Sequence, residues 1–382
     1  VSKQPPVGAA RVTRLLATRD RIGRIGRRGR ALATQLDMLR SIGVRAMLDR
    51  REDWAATSAL LSQRMESLYL DFWTQAASAA GAVISPMDDG FLTISRADRR
   101  TIVRQRHVML DSPVALALAG NKSAMHASLG AAGIPVPRYT QIEFPDIEPA
   151  EEFRRGVEGT CVVKPAQGTS GGFGVTCGVT TSDDLLRACM RAARWDPQII
   201  VEAQTRGTEY RALVLDDHVL DVVRRSPCAV TADGMSDIAE LIAAENERRR
   251  TSNGRLGYSH IGIDLDCLLA LRRQGLTLRA VSARDTRVEV KSSANDSGPA
   301  ETHTLHDVPA ELARAAISAA RTVGLRFAGV ELITPDPTVP FPVAGGTVIE
   351  VNGAPGLQYH YQVRDPERAT PVAALVLERL LA

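Results

Sequence analysis

Three groups of residues in this sequence have types and spacings suited to phosphate and metal chemistry. The first is Val162-Val-Lys-Pro-Ala-Gln-Gly-Thr-Ser-Gly-Gly-Phe-Gly-Val175. An apolar run delivers Lys164, and Gly168, Gly171, Gly172 and Gly174 follow with Thr169 and Ser170 among them. Glycines permit positive φ and close backbone approach, so successive N–H groups can converge on phosphate oxygens. The Lys164 ammonium adds a point charge to the same oxygens. No GK[ST] follows, which sets the segment apart from a P-loop, and no GxGxxG opens a helix here. A Gly-rich hairpin folding over a nucleotide is the better description; the alternative is a flexible connection with no ligand.

The second group is Ile199-Ile-Val-Glu-Ala-Gln-Thr-Arg-Gly-Thr-Glu-Tyr-Arg211. Its apolar strand ends in Glu202, Ala203, Gln204 and Thr205, whose backbone can pair with an adenine edge. Glu209 can accept from ribose hydroxyls and Arg211 can point at phosphates, although an acid two residues from an arginine is commonplace as a surface pair. The third group is Gly329-Val-Glu-Leu with Val348-Ile-Glu-Val-Asn-Gly-Ala-Pro-Gly356. Residues at i and i+2 of a strand face the same side, so Glu350 and Asn352 project together. With Glu331 from a neighbouring strand they give three oxygen ligands among apolar residues. A carboxylate placed there is costly unless paired or metal-bound, and hard oxygen donors beside phosphates suit Mg²⁺. The alternative is buried acids paired with arginines.

The elements that must position these groups are legible in outline. Apolar residues at helical spacing mark Ala31–Met47 and a long run Asp53–Ala80, with Leu60, Leu61, Met65, Leu68, Leu70, Phe72 and Trp73 on one stripe. Two alternating segments around Ala97 and Asp98 read as a hairpin. Lys122–Ala132 reads as a helix ended by Gly133, with Pro135 and Pro137 blocking continuation. Short strands are expected at Cys161–Pro165, Val175–Val179 and Gln198–Glu202, and Ser182 is expected to cap a helix running to Arg194. Further on, Tyr210–Leu215 and His218–Val223 form a hairpin, Asp237–Arg250 and Pro309–Val323 are helices, and Phe327–Ile333 and Thr347–Val351 are strands. Pro335–Pro342 reads as a loop. The boundaries expected are a basic segment 1–30, an N-terminal domain 31–117, a central unit 118–206 and a C-terminal unit 207–382 with the metal and substrate site.

Composition narrows the class. At 382 residues, two or three packed units are expected. No apolar stretch approaches the length of a membrane-spanning helix, and a net charge of +3 is too small to argue for nucleic acid. Five scattered cysteines without a CxxC pair fit reduced thiols in the cytoplasm. Residues 11–30 hold eight arginines against Asp20, the pattern of a solvated basic segment, though transit peptides and nucleic-acid arms look similar. Of 47 basic residues only Lys3, Lys122, Lys164 and Lys291 are lysine. Where arginine serves as the general surface cation, a retained lysine points to a site wanting a compact ammonium.

Taken together and in order, these segments resemble the ATP-grasp superfamily, and within it amino-acid ligases of the cyanophycin synthetase and glutathione synthetase type. The pieces that carry the resemblance are the Lys122 helix with Gly133-Ile-Pro-Val-Pro137, the Lys164 loop, Gly207–Arg211, Arg225-Ser-Pro227, Asp233-Gly234 with Ile238–Asn246, Asn295–Gly298, Gly324–Leu332, and Glu350 through His360. The first 110 residues are more similar to stand-alone peptide ligases of secondary metabolism.

The resemblance implies an α/β (α+β) ATP-grasp fold, with two α+β subdomains clasping ATP and a smaller helix-rich domain before them. It implies that Lys122 and Lys164 hold the α- and β-phosphates, that Glu209 holds the ribose, and that Glu331, Glu350 and Asn352 hold Mg²⁺, as two ions. Arg211, Arg225 and Lys291, with Asn295 nearby, would stabilise the γ-phosphoryl group and acyl-phosphate oxygens. Glu331 stands where Asp is common in the family, and Asn295-Asp-Ser-Gly-Pro is poorer in glycine than usual, which bears on specificity. The expected activity is ADP-forming ligation of an amino-acid or peptide carboxylate to an amine. The expected partners are small molecules, without nucleic acid or membrane, in a homodimer by base rate. Kinase activity on a small molecule, or a silent nucleotide-binding module, are the competing readings. His360 and Tyr361 are expected to line the acceptor pocket.

Overall fold

The computed structural model describes residues 63–167, 172–251, 260–294 and 301–382. The basic segment, the helix expected at 31–47, Gly168–Gly171 and Asn295 lie outside the described residues. No helix among the described residues is long and apolar enough to cross a membrane.

Helix α1 (63–79) buries Tyr69, Phe72, Trp73, Ala76 and Ala77, one face at 3–4-residue spacing. Leu70, expected on this stripe, is instead 48% exposed: it follows Tyr69 by one residue, and a 100° turn carries it off the buried face. An antiparallel meander follows, β1 (Val83–Pro86), β2 (Leu92–Arg96) and β3 (Arg99–Val103), with Ala97 at φ 52° in the expected hairpin turn. Helices α2 (Pro113–Gly120) and α3 (Lys122–Ala131) are capped by Ser112 and Asn121, whose side chains accept from Ala115 N and Ala124 N. Gly133 follows α3 at φ 75°, as its position predicts.

The first large sheet holds β4 (Tyr139–Glu143), β5 (Cys161–Pro165), β6 (Thr176–Val179) and β7 (Gln198–Ala203) in the order β4-β7-β5-β6. Every pairing is antiparallel. Helices α4 (Glu148–Arg155) and α5 (Ser182–Ala192) cover one face, packing Leu185, Ala188 and Cys189 onto Cys161, Val163, Ile199 and Val201. The cap of α5 is Thr181, whose hydroxyl accepts from Asp184 N, so the expected cap Ser182 is the first helical residue. Strand alternation turns Lys164 and Glu202 to the opposite face.

The second large sheet holds β8 (Thr208–Leu215), β9 (His218–Arg225), β12 (Thr302–Thr304), β13 (Phe327–Thr334) and β14 (Thr347–Gly353), in the order β12-β9-β8-β13-β14. One face packs Ala212, Val214, Val222, Val330 and Val351 against α2, α3 and α8 (Ala310–Val323). The other face is divided along its length. Leu213, Leu215 and Phe327 pack under Tyr69, Phe72, Trp73 and α11 (Val372–Leu380), while the remaining half carries Glu209, Arg211, Arg225, Glu331 and Glu350. The unit of α1 and β1–β3 therefore roofs the apolar half of the sheet whose polar half is the candidate site.

Between β9 and β12 lies a small unit that the sequence pattern revealed only as the helix α6 (Ile238–Thr251). It also contains the hairpin of β10 (Ala229–Thr231) with β11 (Arg287–Glu289), and helix α7 (Leu265–Arg273), around Cys228, Val230, Ile238, Cys267 and Val288. The expected loop Pro335–Pro342 runs into a short helix, α9 (Phe341–Ala344), and α10 (Gln358–Tyr361) follows β14.

Candidate active site

The centre of the site is Glu331 on β13. Its neighbours across the two ladders are Arg211 on β8 and Glu350 on β14, so the sheet alone brings three charged side chains onto one face. Arg211 Nη1 contacts Glu331 Oε1 directly. Arg225 Nη1 lies 3.1 Å from Glu209 Oε1 and 3.5 Å from Glu331 Oε1, and its Nη2 donates to Ala294 O at 2.8 Å. Both guanidiniums lie over the Tyr359 ring, 4.7 Å from its centroid for Arg211 and 5.2 Å for Arg225. Gly329 makes room for this: a Cβ there would stand 2.7 Å from Arg211 Nη2 and 2.9 Å from Pro355 Cβ.

A second set of contacts ties this sheet to the four-stranded one. Lys122 Nζ, at the first residue of α3, is 3.4 Å from Glu350 Oε1. One turn on, His126 donates from Nε2 to Ile349 O at 3.2 Å and sets Nδ1 3.5 Å from Glu202 Oε1. Lys164 Nζ is 2.6 Å from the same oxygen. Lys122 and His126 share a helix face at i,i+4, so α3 presents two basic groups to both sheets. Lys122, Lys164, Arg211 and Arg225 thus meet Glu202, Glu209, Glu331 and Glu350 in one nearly closed cluster, with every member except Glu209 and Glu350 buried.

The charges shape one another. Burial pushes the Glu209 carboxyl up to about 7; Arg225 pulls against that shift and Glu331 adds to it. For Glu350 burial acts upward too, but Lys122, Lys164 and Arg211 outweigh it and hold the group below its ordinary value. Burial, then the Lys164 charge, lowers His126, leaving a neutral imidazole. Arg225 loses by burial but gains more from Glu209 and Glu331, which raise it.

The remaining expected residues are placed as follows. Asn352 stands opposite Gly329 and its Nδ2 donates to Gly329 O at 3.4 Å. The amides of Ala203 and Gln204 donate to Arg138 O and Thr160 O, at 2.8 and 2.9 Å, and Thr205 Oγ1 meets Thr347 Oγ1 at 2.8 Å. Of the glycine loop, Gly172 and Gly174 are described, at φ 76° and 80°. A Cβ on Gly174 would also stand 2.7 Å from Pro165 Cγ. Lys291 is buried with its Nζ 2.8 Å from both oxygens of Asp264. Arg191 Nη2 reaches the same carboxylate at 2.6 Å, and with Lys291 it more than offsets burial to hold Asp264 in its charged form.

His360 and Tyr361 are both turned toward the core. His360 is fully buried with Nδ1 2.6 Å from Asp221 Oδ2, and Tyr361 stacks on Phe72 at 4.0 Å. Their neighbour Tyr359 is the aromatic group of the site. On a short helix, adjacent residues diverge by 100°, so a motif-level reading could not choose among the three. His126 and Asp264 were also missed; the i,i+4 relation to Lys122 was the one available signal for His126.

Among the described residues no three His, Cys, Asp or Glu side chains form a metal-type group. The donor set on the sheet is two carboxylates and an amide, which suits a hard cation that keeps part of its water shell.

The arrangement of two antiparallel sheets facing each other across a charged cluster is that of the ATP-grasp fold, and the chain belongs to the ATP-grasp superfamily. The family described as D-ala D-ala ligase C-terminus matches residues 129–240. Cyanophycin synthetase of Trichormus variabilis is 32% identical over 268 residues, 69% of this chain and 29% of that protein. The glutathione biosynthesis bifunctional protein GshAB of Pasteurella multocida is 30% identical over 285 residues, 72% of this chain and 37% of that one. A crystal structure of the bifunctional glutathione synthetase from Pasteurella multocida aligns with a TM-score of 0.51 at 28% identity, covering 81% of this chain and 43% of that chain. The chain therefore spans about a third of the length of these relatives.

Proposed function

We infer that this chain is an ATP-dependent ligase that activates a carboxylate as an acyl phosphate and joins it to an amine, releasing ADP and phosphate. The observation that carries this reading is the meeting of Lys122 and Lys164 with Arg211 and Arg225 around Glu202, Glu331 and Glu350. Lys164 enters from the four-stranded sheet, just before the glycine loop, and Lys122 from the first turn of α3; both would hold nucleotide phosphates. Arg211 and Arg225, braced on Tyr359, would bind the γ-phosphoryl group and the carboxylate it is transferred to, a role also assigned to Lys291 and Asn295. Fixed cations aimed at developing charge are the main source of catalysis in phosphoryl transfer.

Glu331, Glu350 and Asn352 would hold Mg²⁺, as two ions, which when bound neutralise phosphate charge and orient the transferring group. The backbone of Glu202–Thr205 is assigned to the adenine edge and the Glu209 carboxyl to the ribose. The glycine loop, closing over the nucleotide, would exclude water from the acyl phosphate. The substrates proposed are an amino acid or short peptide and an amine.

The test is ADP release with Mg-ATP across crossed pools of carboxylates and amines. ADP formed only when both are present supports ligation. ADP from a hydroxyl compound alone would establish a kinase instead, and AMP with pyrophosphate would overturn the acyl-phosphate route.

A further inference from the structure

The outermost strand of the five-stranded sheet, β12, carries a feature that the nucleotide and metal assignments leave unused. Thr302 pairs with Arg225 and Thr304 with Val223. Cross-strand partners share a face, so both threonines lie on the side that carries Arg225, Arg211 and Glu331. Residues 362–368 fold back along the free edge of β12, where Arg364 N donates to Thr302 O at 2.9 Å. Between strand and segment is a cavity of about 100 Å³ lined by His303, Thr304, His306, Arg364, Asp365 and Arg368, together with Val363. That volume holds roughly three waters, or the end of a small organic acid.

Its chemistry is one-sided. Two guanidiniums and two imidazoles face one carboxylate, Asp365. Among the described residues neither Arg364 nor Arg368 is ion-paired. Thr304 Oγ1 is buried without a hydrogen-bond partner, as is the nearby donor Gln362 Nε2. Burial, then Arg224 and Arg364, holds His303 below its ordinary value, against the pull of Glu301 and Asp365. Unused donors and unpaired guanidiniums around a small recess suit an oxyanion, which arginine binds with two parallel hydrogen bonds.

The position relates this recess to the reaction. Adjacent strands lie about 4.8 Å apart, so β12 is about 5 Å beyond the strand of Arg225 and about 14 Å beyond that of Glu331. That interval is one amino-acid side chain to about four extended residues. We propose that the cavity at the edge of β12 binds a second carboxylate of the substrate, remote from the one that is activated. The preferred substrate is then a dicarboxylic amino acid or a short peptide with a free terminus. The assignment rests on the ligase reading for its biological meaning, but the binding itself can be measured without ATP.

The experiment follows the imidazole proton resonances of His303 and His306 by NMR, assigned with His303→Gln and His306→Gln, in the whole chain. Succinate, succinamide and inorganic phosphate are titrated in turn. Succinate should give saturable shifts of both histidines and succinamide none. Arg364→Gln with Arg368→Gln, both exposed and unpaired, should weaken succinate about tenfold or more, the scale of lost charge-assisted hydrogen bonds. No saturable shift, an equal response to succinamide, an unweakened double variant, or saturation by phosphate but not succinate would each overturn the proposal. Ligase turnover persisting alongside such a failure would leave the proposed function standing.

Discussion

Gly329→Ala tests whether the placement of Arg211, and not merely its charge, governs turnover. Gly329 sits mid-strand on β13 with no positive φ, so alanine suits the backbone and even gains about 0.5–1 kcal/mol over glycine in a strand. The new Cβ would stand 2.7 Å from Arg211 Nη2 and 3.1 Å from its Cζ. Real Cβ contacts essentially never fall under 3.0 Å and nine in ten lie beyond 3.4 Å, so the guanidinium must retreat by up to about 1 Å from its place over Tyr359 and against Glu331. Overpacking costs about 1–3 kcal/mol, partly offset by the strand preference, so the unfolding free energy should fall by no more than about 2.5 kcal/mol. A displacement of about 1 Å in a positioned group costs about 100-fold in rate. The assay is steady-state ADP release with the substrate pair found in the crossed pools, beside urea unfolding. In an Arg211→Ala background the same substitution should cost much less in kcat, because the guanidinium it strikes is gone and only the contact with Pro355 Cβ, 2.9 Å away, remains. Wild-type turnover in Gly329→Ala, or fully additive losses in the double variant, would refute the reasoning.

Three further outcomes are expected. Lys164→Ala and Glu350→Ala should each lose about 100-fold or more in turnover while circular dichroism still reports a folded chain; near wild-type rates in either would remove that residue from the site. Burial raises Glu209 to about 7, so the stability linked to its proton is present below the ordinary value of 4.5 and is lost as pH rises through 7. Glu209→Gln should therefore flatten urea-unfolding free energies across that window by up to about 3 kcal/mol, and parallel pH profiles for the two proteins would contradict the assignment. Tyr69 donates to Gln358 Oε1 at 2.7 Å and accepts from Leu357 N at 2.9 Å. Tyr69→Phe strands both groups, so a destabilisation of about 1–3 kcal/mol is expected, and a neutral result would show that the N-terminal unit does not brace the loop after β14.

What the sequence made legible was whatever depends on neighbours along the chain. The strand carrying Lys164, the paired projection of Glu350 and Asn352, and the helix from Lys122 follow from local periodicity and punctuation, and β5, β14 and α3 form there. Pairings between distant segments were less accessible. Nothing near Glu209 in the sequence announces Arg225 or Glu331 as its neighbours, because that contact exists only through the order β9-β8-β13. The unit around β10, β11 and α7 was hidden for a related reason: its strands are three residues each, too short to show alternation. The site loop misled through geometry, since Tyr359, His360 and Tyr361 are consecutive but point to a cation pair, a buried aspartate and an aromatic stack.

The charge balance of the cluster bears on why it exists. Four cations and four carboxylates are gathered between the sheets, and taking each ion out of water costs several kcal/mol that pairing only approximately returns. A fold needing nothing but stability at this position would do as well with apolar side chains, as the other half of the same sheet face does with Leu213, Leu215 and Phe327. The pairings are also imperfect: Arg211 Nε is buried with no hydrogen-bond partner, which costs about 1–3 kcal/mol or more for a charged group. Both expenses make sense if the cations and acids are to be divided between phosphates and a hard metal ion when the nucleotide binds. On that view the ion pairs hold each group near its working position, and binding exchanges partners in a site already built.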